Sequence, residues 1–367
     1  MPGQKYRGRD FGTKIPGPRR PRGRAAKAPG FDRQFRLFGQ ESRRVSQENI
    51  LIIKLGALGD FTLSLGACQA IRQHHPEARI TLLTTAAYQA LAAASGLFDQ
   101  IWLDTRPALW NLPAVLRLRR RLKAGRFARI YDLQRNDRSN SYFQLLRPGQ
   151  PQWVGKAWGA SHRYRDRDEN RHISRREAEQ LALAGIASLP LPDLSFVAAD
   201  LHRLNLPEHY ALLVPGGAPH RPGKRWPAAS YAQLAQRLHD QGLTPVLLGT
   251  PAEQREIEVI ARACPAARSL LGQTSLLEIP ALARGAQLAV GNDTGPMHLI
   301  AAAGCPVVSL FSAESKPEKT APRGPSVRTL QRPRLQQLSL AEVWQAVAPL
   351  IAPAGTAPQA DAGDRRT

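Results

Sequence analysis

A chain of 367 residues, 43% of them hydrophobic, has apolar material for about two ordinary domains, and no apolar run nears the roughly 18 residues of a membrane span. Its net charge of +22 turns the reading away from basic partners and toward anionic ones: nucleic acid, an acidic membrane face or a phosphorylated substrate. Three cysteines in apolar contexts, with no CxxC pair, exclude a disulfide framework and read as small core residues in a reducing compartment.

Residues 1–45 hold 13 Lys and Arg against Asp10, Asp32 and Glu41, a net +10, so +12 remains for the rest. Rich in Gly and Pro and without periodicity, they read as a basic disordered extension. The charged N-terminus lacks the apolar stretch of a secretory signal, and none is expected. A solvated or membrane-surface tail is favoured over a nucleic-acid-binding arm.

From Asn49 the pattern becomes a strand–helix alternation. Strands are expected over residues 49–55, 79–85, 100–103 and 129–133, with helices over 60–74, 86–94 and 113–123. The last helix carries Arg117, Arg119, Arg120, Arg121 and Lys123, followed by Arg126 and Arg129. Such a run is a solvated helix face or one turned to an acidic acceptor or membrane. Residues 152–170 read as irregular and aromatic, 174–184 as a helix, and 189–206 as an interdomain connection. A second set follows, with strands over 210–214, 245–248, 286–290 and 306–311 and helices over 228–240, 252–263, 276–284, 297–303 and 339–351. The chain thus divides into a Rossmann-like domain over 46–206, a second over 207–352 and a disordered tail over 353–367. Two such halves, each with Gly-containing loops after strands, imply a ligand cleft between them.

Chemistry concentrates at strand ends. Lys54-Leu55-Gly56-Ala57-Leu58-Gly59-Asp60 turns tightly after the first strand and delivers Asp60 to a helix start, as an N-cap or as a carboxylate base facing the cleft. The spacing is not GxGxxG, so a nicotinamide dinucleotide fits poorly. In Pro215-Gly216 through Lys224-Arg225-Trp226-Pro227, Lys224 is either an exposed loop lysine or the neutraliser of a phosphate. Glu253 complements a helix dipole or accepts hydrogen bonds from a ribose. In Asn292-Asp293-Thr294-Gly295-Pro296-Met297-His298, the N–H groups of Thr294 and Gly295 open a helix where a diphosphate would be favoured, and His298 lines that pocket or packs. HExxH, Cys/His metal spacing, GxSxG and Walker A are all absent from the sequence.

In order and spacing these motifs resemble glycosyltransferase family 9, the ADP-heptose:lipopolysaccharide heptosyltransferases. The likeness rests on ILIIKLGALGDF, on Pro215-Gly216 with Lys224-Arg225-Trp226-Pro227, and on Asp293-Thr294-Gly295-Pro296-Met297-His298, and it covers roughly residues 49–350. The resemblance implies an α/β protein of GT-B architecture with an N-terminal acceptor domain and a C-terminal nucleotide-sugar domain. It implies inverting transfer with Asp60 as general base and Lys224 stabilising the departing diphosphate. Gly59, Thr294 and Gly295 would hold substrate, Asp293 would contact sugar hydroxyls or cap the helix, Glu253 would meet the ribose, and Thr274-Ser275-Leu276 would form the base-binding turn. The implied partners are a nucleotide sugar (ADP-heptose) and an anionic glycolipid at the inner face of the cytoplasmic membrane. No cofactor, metal or nucleic acid is expected, and the location is cytoplasmic or peripheral on that membrane. Two departures stand out: Ser312-Ala313-Glu314-Ser315-Lys316-Pro317 where relatives read G-P/A-T-D-P, and Leu65-Gly66 where a Pro is usual. The alternatives are a nucleotide-sugar 2-epimerase of the same fold and a nucleic-acid-binding protein acting through residues 1–45.

Overall fold

The computed structural model describes residues 47–351, apart from Leu109 and residues 218–220. The expected basic extension and the expected tail fall outside these residues. Among the described residues, strands β1 (Asn49–Ile53), β2 (Arg79–Thr84), β3 (Gln100–Leu103), β4 (Arg129–Asp132), β5 (Gln152–Gly155) and β6 (His162–Arg163) form one sheet. A second comprises β7 (Tyr210–Val214), β8 (Thr244–Leu247), β9 (Arg268–Ser269), β10 (Leu288–Asn292), β11 (Val307–Phe311) and β12 (Val327–Gln331). All pairings are parallel. The first sheet runs β3-β2-β1-β4-β5-β6, and the second, counted from β7, repeats that order. Each is a doubly wound sheet, with its switch point where β1 meets β4 or β7 meets β10.

The helices are α1 (Leu58–Leu63), α2 (Leu65–His74), α3 (Gln89–Ala94), α4 (Leu112–Ala124), α5 (Asp137–Leu146) and α6 (Ile173–Ala182) in the first half. In the second they are α7 (Ala228–His239), α8 (Gln254–Ala263), α9 (Glu278–Gly285), α10 (Gly295–Ala302), α11 (Pro317–Thr320) and α12 (Leu340–Val347). The central strands read as unbroken apolar runs because helices cover both faces; Ile50 to Ile53 are fully buried. One core continues from the α2 side of the first sheet into the α9–α10 side of the second. Smaller cores lie under α4 and α5 and under α7 and α12. All three cysteines are buried and unpaired.

The observed elements depart from the expected ones in a few places. The helix expected over 60–74 is two, broken at Ser64, whose hydroxyl donates to the Glu177 carboxylate (2.5 Å) and lies 2.9 Å from the Asp60 carbonyl oxygen. Helix α5, capped by Asn136, occupies a polar stretch that carried no expectation. The segment expected to be irregular contains β5 and β6, and the second sheet gains β9 and the edge strand β12. The connection over 189–206 holds only a short 3-10 turn, His202–Leu204, and its Leu194 N–H donates to the Ala302 carbonyl of α10 (3.0 Å).

Candidate functional site

Three strand-end loops meet at the carboxyl edges of the two sheets. At the end of β10, Asn292 is fully buried and completely engaged. Its amide donates to the carbonyls of Pro215 (2.8 Å) and Gly216 (2.9 Å), while its oxygen accepts from the Trp226 N–H (3.0 Å) and the Tyr231 hydroxyl (3.1 Å). Trp226 is itself buried, and its indole N–H donates to the Leu338 carbonyl (2.8 Å). One asparagine thereby fixes the loop after β7 against the loop after β10. Four satisfied bonds on a fully buried side chain make a rigid clamp. Nothing in the sequence distinguished Asn292 from an ordinary turn residue.

The clamp sets Lys224 beside Asp293, with Nζ donating to Oδ2 at 2.8 Å and both side chains nearly buried. Thr294 is the extended N-cap residue of α10; its hydroxyl is buried and finds no partner among the described residues. Asp293 therefore does not cap the helix, and its carboxylate holds the lysine instead. Among the described residues the amides of Thr294 and Gly295 find no acceptor at the helix start, and Pro296 contributes no N–H there.

A cavity of about 840 Å3 extends from this point through the second half. Its walls include Gly216, Glu253, Leu248, Pro251, Thr274, Ser275, Leu276 and Ile279. A Cβ on Gly216 would come within 2.8 Å of the Glu253 side chain, so glycine is what lets this wall close in. Glu253 Oε2 accepts from the Thr250 N–H (2.9 Å) and hydroxyl (2.7 Å), which is the helix-capping role; Oε1 has no partner among the described residues. Capping and ligand contact are thus compatible on one carboxylate.

A second cavity, about 590 Å3, lies on the other side, lined by Ala57, Gly59, Asp60, His298, Glu314, Lys316 and Lys319. Both cavities are bordered by Arg221, Lys224, Asp293, Thr294 and Gly295. Asp60 is the third residue of α1, not its cap, and among the described residues its carboxylate has no hydrogen-bond or ion-pair partner. α1 meets α10 closely through glycine: a Cβ on Gly59 would lie 2.8 Å from the His298 ring, and one on Gly295 would lie 2.7 Å from Leu58. His298 is buried, which pushes its pKa down to about 4 against the pull of Asp293 and Asp60, so the ring is neutral near pH 7. Arg221, Lys316 and Lys319 carried no sequence assignment. Lys316 belongs to the segment that departs from G-P/A-T-D-P, and it reaches across to Asn170 Oδ1 at 2.9 Å.

Residues 115–343 match the family model described as glycosyltransferase family 9 (heptosyltransferase), more than half of the chain. The chain belongs to glycosyltransferase family 9. It is 34% identical over 120 residues to lipopolysaccharide heptosyltransferase 2 of Escherichia coli K12, a match covering 31% of this chain and 34% of that protein. The chain spans about a third of the length of the curated relatives it matches first. Among solved structures, a glycosyl transferase family 9 protein from Veillonella parvula superposes with a TM-score of 0.71 at 20% identity, covering 83% of this chain and 97% of that one. E. coli heptosyltransferase WaaC with ADP gives a TM-score of 0.65 at 19% identity, covering 83% and 100%. The two facing doubly wound sheets of this family 9 chain are the GT-B architecture.

Proposed function

We propose that the protein is an inverting glycosyltransferase that moves a heptose from ADP-heptose to an anionic glycolipid of the lipopolysaccharide core. One observation carries the reading: Lys224, Asp293 and the open amides of Thr294 and Gly295 border both cavities. A diphosphate held there has a nucleoside-sized cavity on one side and the Asp60 carboxylate on the other. The family description, a relative's name and a neighbour bound to ADP support the heptose and the nucleotide.

In this reading residues 207–352 bind the donor. Leu248, Pro251, Leu276 and Ile279 give the adenine an apolar slot beside the Thr274-Ser275-Leu276 turn, and Glu253 Oε1 accepts from the ribose. Residues 46–206 present the acceptor. Asp60 takes the proton of the acceptor hydroxyl as that oxygen attacks the anomeric carbon from the face opposite the diphosphate. The new C–O bond forms as the old one breaks, and its electron pair leaves on the β-phosphate oxygen of ADP. Positive charge grows on the sugar and negative charge on the leaving group. Lys224, Arg221 and the helix-opening amides meet the latter. Neutral His298 packs against Gly59 and keeps α1 at its distance. The enzyme works in the cytoplasm, peripherally on the membrane that carries the acceptor, to which its basic body is attracted. The epimerase reading has no observation of its own, and the nucleic-acid reading rests on residues outside those described.

The test is ADP release from ADP-heptose, with and without a lipid A–Kdo acceptor, in wild type and Asp60→Asn. Acceptor-dependent release that falls by about 10²–10⁴-fold in the variant is the expected result. Release independent of acceptor would replace transfer by another reaction of the nucleotide sugar. Undiminished release in the variant would remove Asp60 as the base.

A further inference from the structure

Of the six tryptophans, Trp153 and Trp226 are buried, and Trp102 and Trp344 are partly covered by the guanidinium groups of Arg121 (4.5 Å) and Arg237 (4.3 Å). The other two are bare: Trp110 is 87% exposed and Trp158 69%. Both stand on loops leaving the carboxyl end of the first sheet, after β3 and after β5. That edge also carries the loop leading to Asp60, and Arg106 ties the two loops together by donating to the Leu55 carbonyl (2.5 Å).

α4 starts two residues beyond Trp110. Its inner face packs Leu118 and Leu122 onto the core, while Leu112 and Leu116 on the outer face are 66% and 50% exposed. Farther along, Arg117, Arg120 and Lys123 are exposed and make no ion pair among the described residues. Residues 105–131 contain eight Lys and Arg and no Asp or Glu. Bare tryptophan and leucine beside unpaired cations is the composition of a surface that lies in the headgroup layer of an anionic bilayer.

We propose that this edge is a docking face for an anionic lipid bilayer, with Trp110, Leu112, Leu116 and Trp158 entering the headgroup layer and Arg117, Arg120 and Lys123 resting on its phosphates. The proposal builds on the membrane-peripheral reading above and gives it a location. A lipid-anchored acceptor then presents its sugar to the Asp60 edge without leaving the bilayer.

The experiment is flotation of the full chain with vesicles of phosphatidylcholine alone or mixed with phosphatidylglycerol. It compares wild type, a Trp110→Ser/Leu116→Ser/Trp158→Ser variant and an Arg117→Glu/Arg120→Glu variant. Wild type is expected to float with the mixed vesicles only, and each variant to partition about tenfold or more weakly. All three keep residues 1–45, so variants that bind like wild type would assign the attraction to that segment and overturn the proposal. Equal wild-type binding to neutral vesicles would overturn it too, as would a wild-type dimer that the apolar variant splits while vesicle binding stays unchanged. ADP release with a deacylated, water-soluble acceptor is measured in parallel and is expected to be equal in all three. Its absence would overturn the transferase reading alone, and absence of flotation would overturn the docking face alone.

Discussion

Lys224 and Asp293 lie 69 residues apart and meet at 2.8 Å because Asn292, next to the aspartate, holds the loop that carries the lysine. The motifs named Lys224, Asp293, Thr294 and Gly295 in advance, since a cation and open amides after strand ends are what a diphosphate needs. They did not name Asn292, whose four bonds are all tertiary, nor Arg221, which looked like any loop arginine until both cavities were found to border it. A cation aimed at a leaving diphosphate acts chiefly on the transition state. Lys224→Met is therefore expected to lower kcat by about 10²–10³-fold while changing KM for the nucleotide sugar much less. Steady-state kinetics decide it: a raised KM at constant kcat would make Lys224 a ground-state binding group instead.

Among elements, those with a clear apolar run or period were legible and those without one were not. β7 falls where its apolar run ended, as does the edge strand β3 with its Ile101-Trp102-Leu103, and the central strands otherwise come within a residue or two. β12, at the edge of its sheet, has only Val327 and Leu330 even partly covered, so its sequence shows no apolar run. α5 opens on Asp-Arg-Ser-Asn and buries its side chains mainly at Tyr142, Phe143 and Leu146, too late for a clear period. The unusual Leu65-Gly66 does have a structural explanation. A Cβ on Gly66 would sit 2.3 Å from the Pro190 carbonyl oxygen, where the connection between the halves crosses α2. Backbone cannot swing aside as a side chain can. Gly66→Ala is expected to destabilise the fold by about 1–3 kcal/mol despite alanine's better helix propensity, read as a lower denaturation midpoint at unchanged slope. An unchanged or raised midpoint would mean that the connection can shift freely off α2.

At the scale of the whole molecule, one buried and two half-buried histidines set how stability follows pH. Burial holds both His298 and His75 down to about 4, and His172 is also lowered by burial. Between pH 6.5 and 4 the unfolded chain takes up these protons and the folded chain does not, so stability is full above 6.5 and declines as pH falls through that window. Asp132 acts oppositely: burial raises it to about 6, so below that the folded chain binds a proton before the unfolded one does. Asp99, Asp166 and Glu278 are lowered by their arginine partners and hydrogen bonds, and they cost stability only in the more acidic carboxylate range. The histidines outnumber Asp132, so the folded state weakens from pH 6 to 4.5. Each proton withheld tilts stability by about 1.4 kcal/mol per pH unit. His298 faces Asp293, Asp60, His172 and Lys224, and a glutamine there keeps a polar side chain without a proton to gain. Denaturation midpoints of wild type and His298→Gln across this range, at constant ionic strength, check the assignment. The variant's stability should depend on pH less steeply by about one proton. Parallel curves would show that His298 is protonated in the folded chain as readily as in the unfolded one, and that the ring between α1 and α10 is not the neutral group its burial requires.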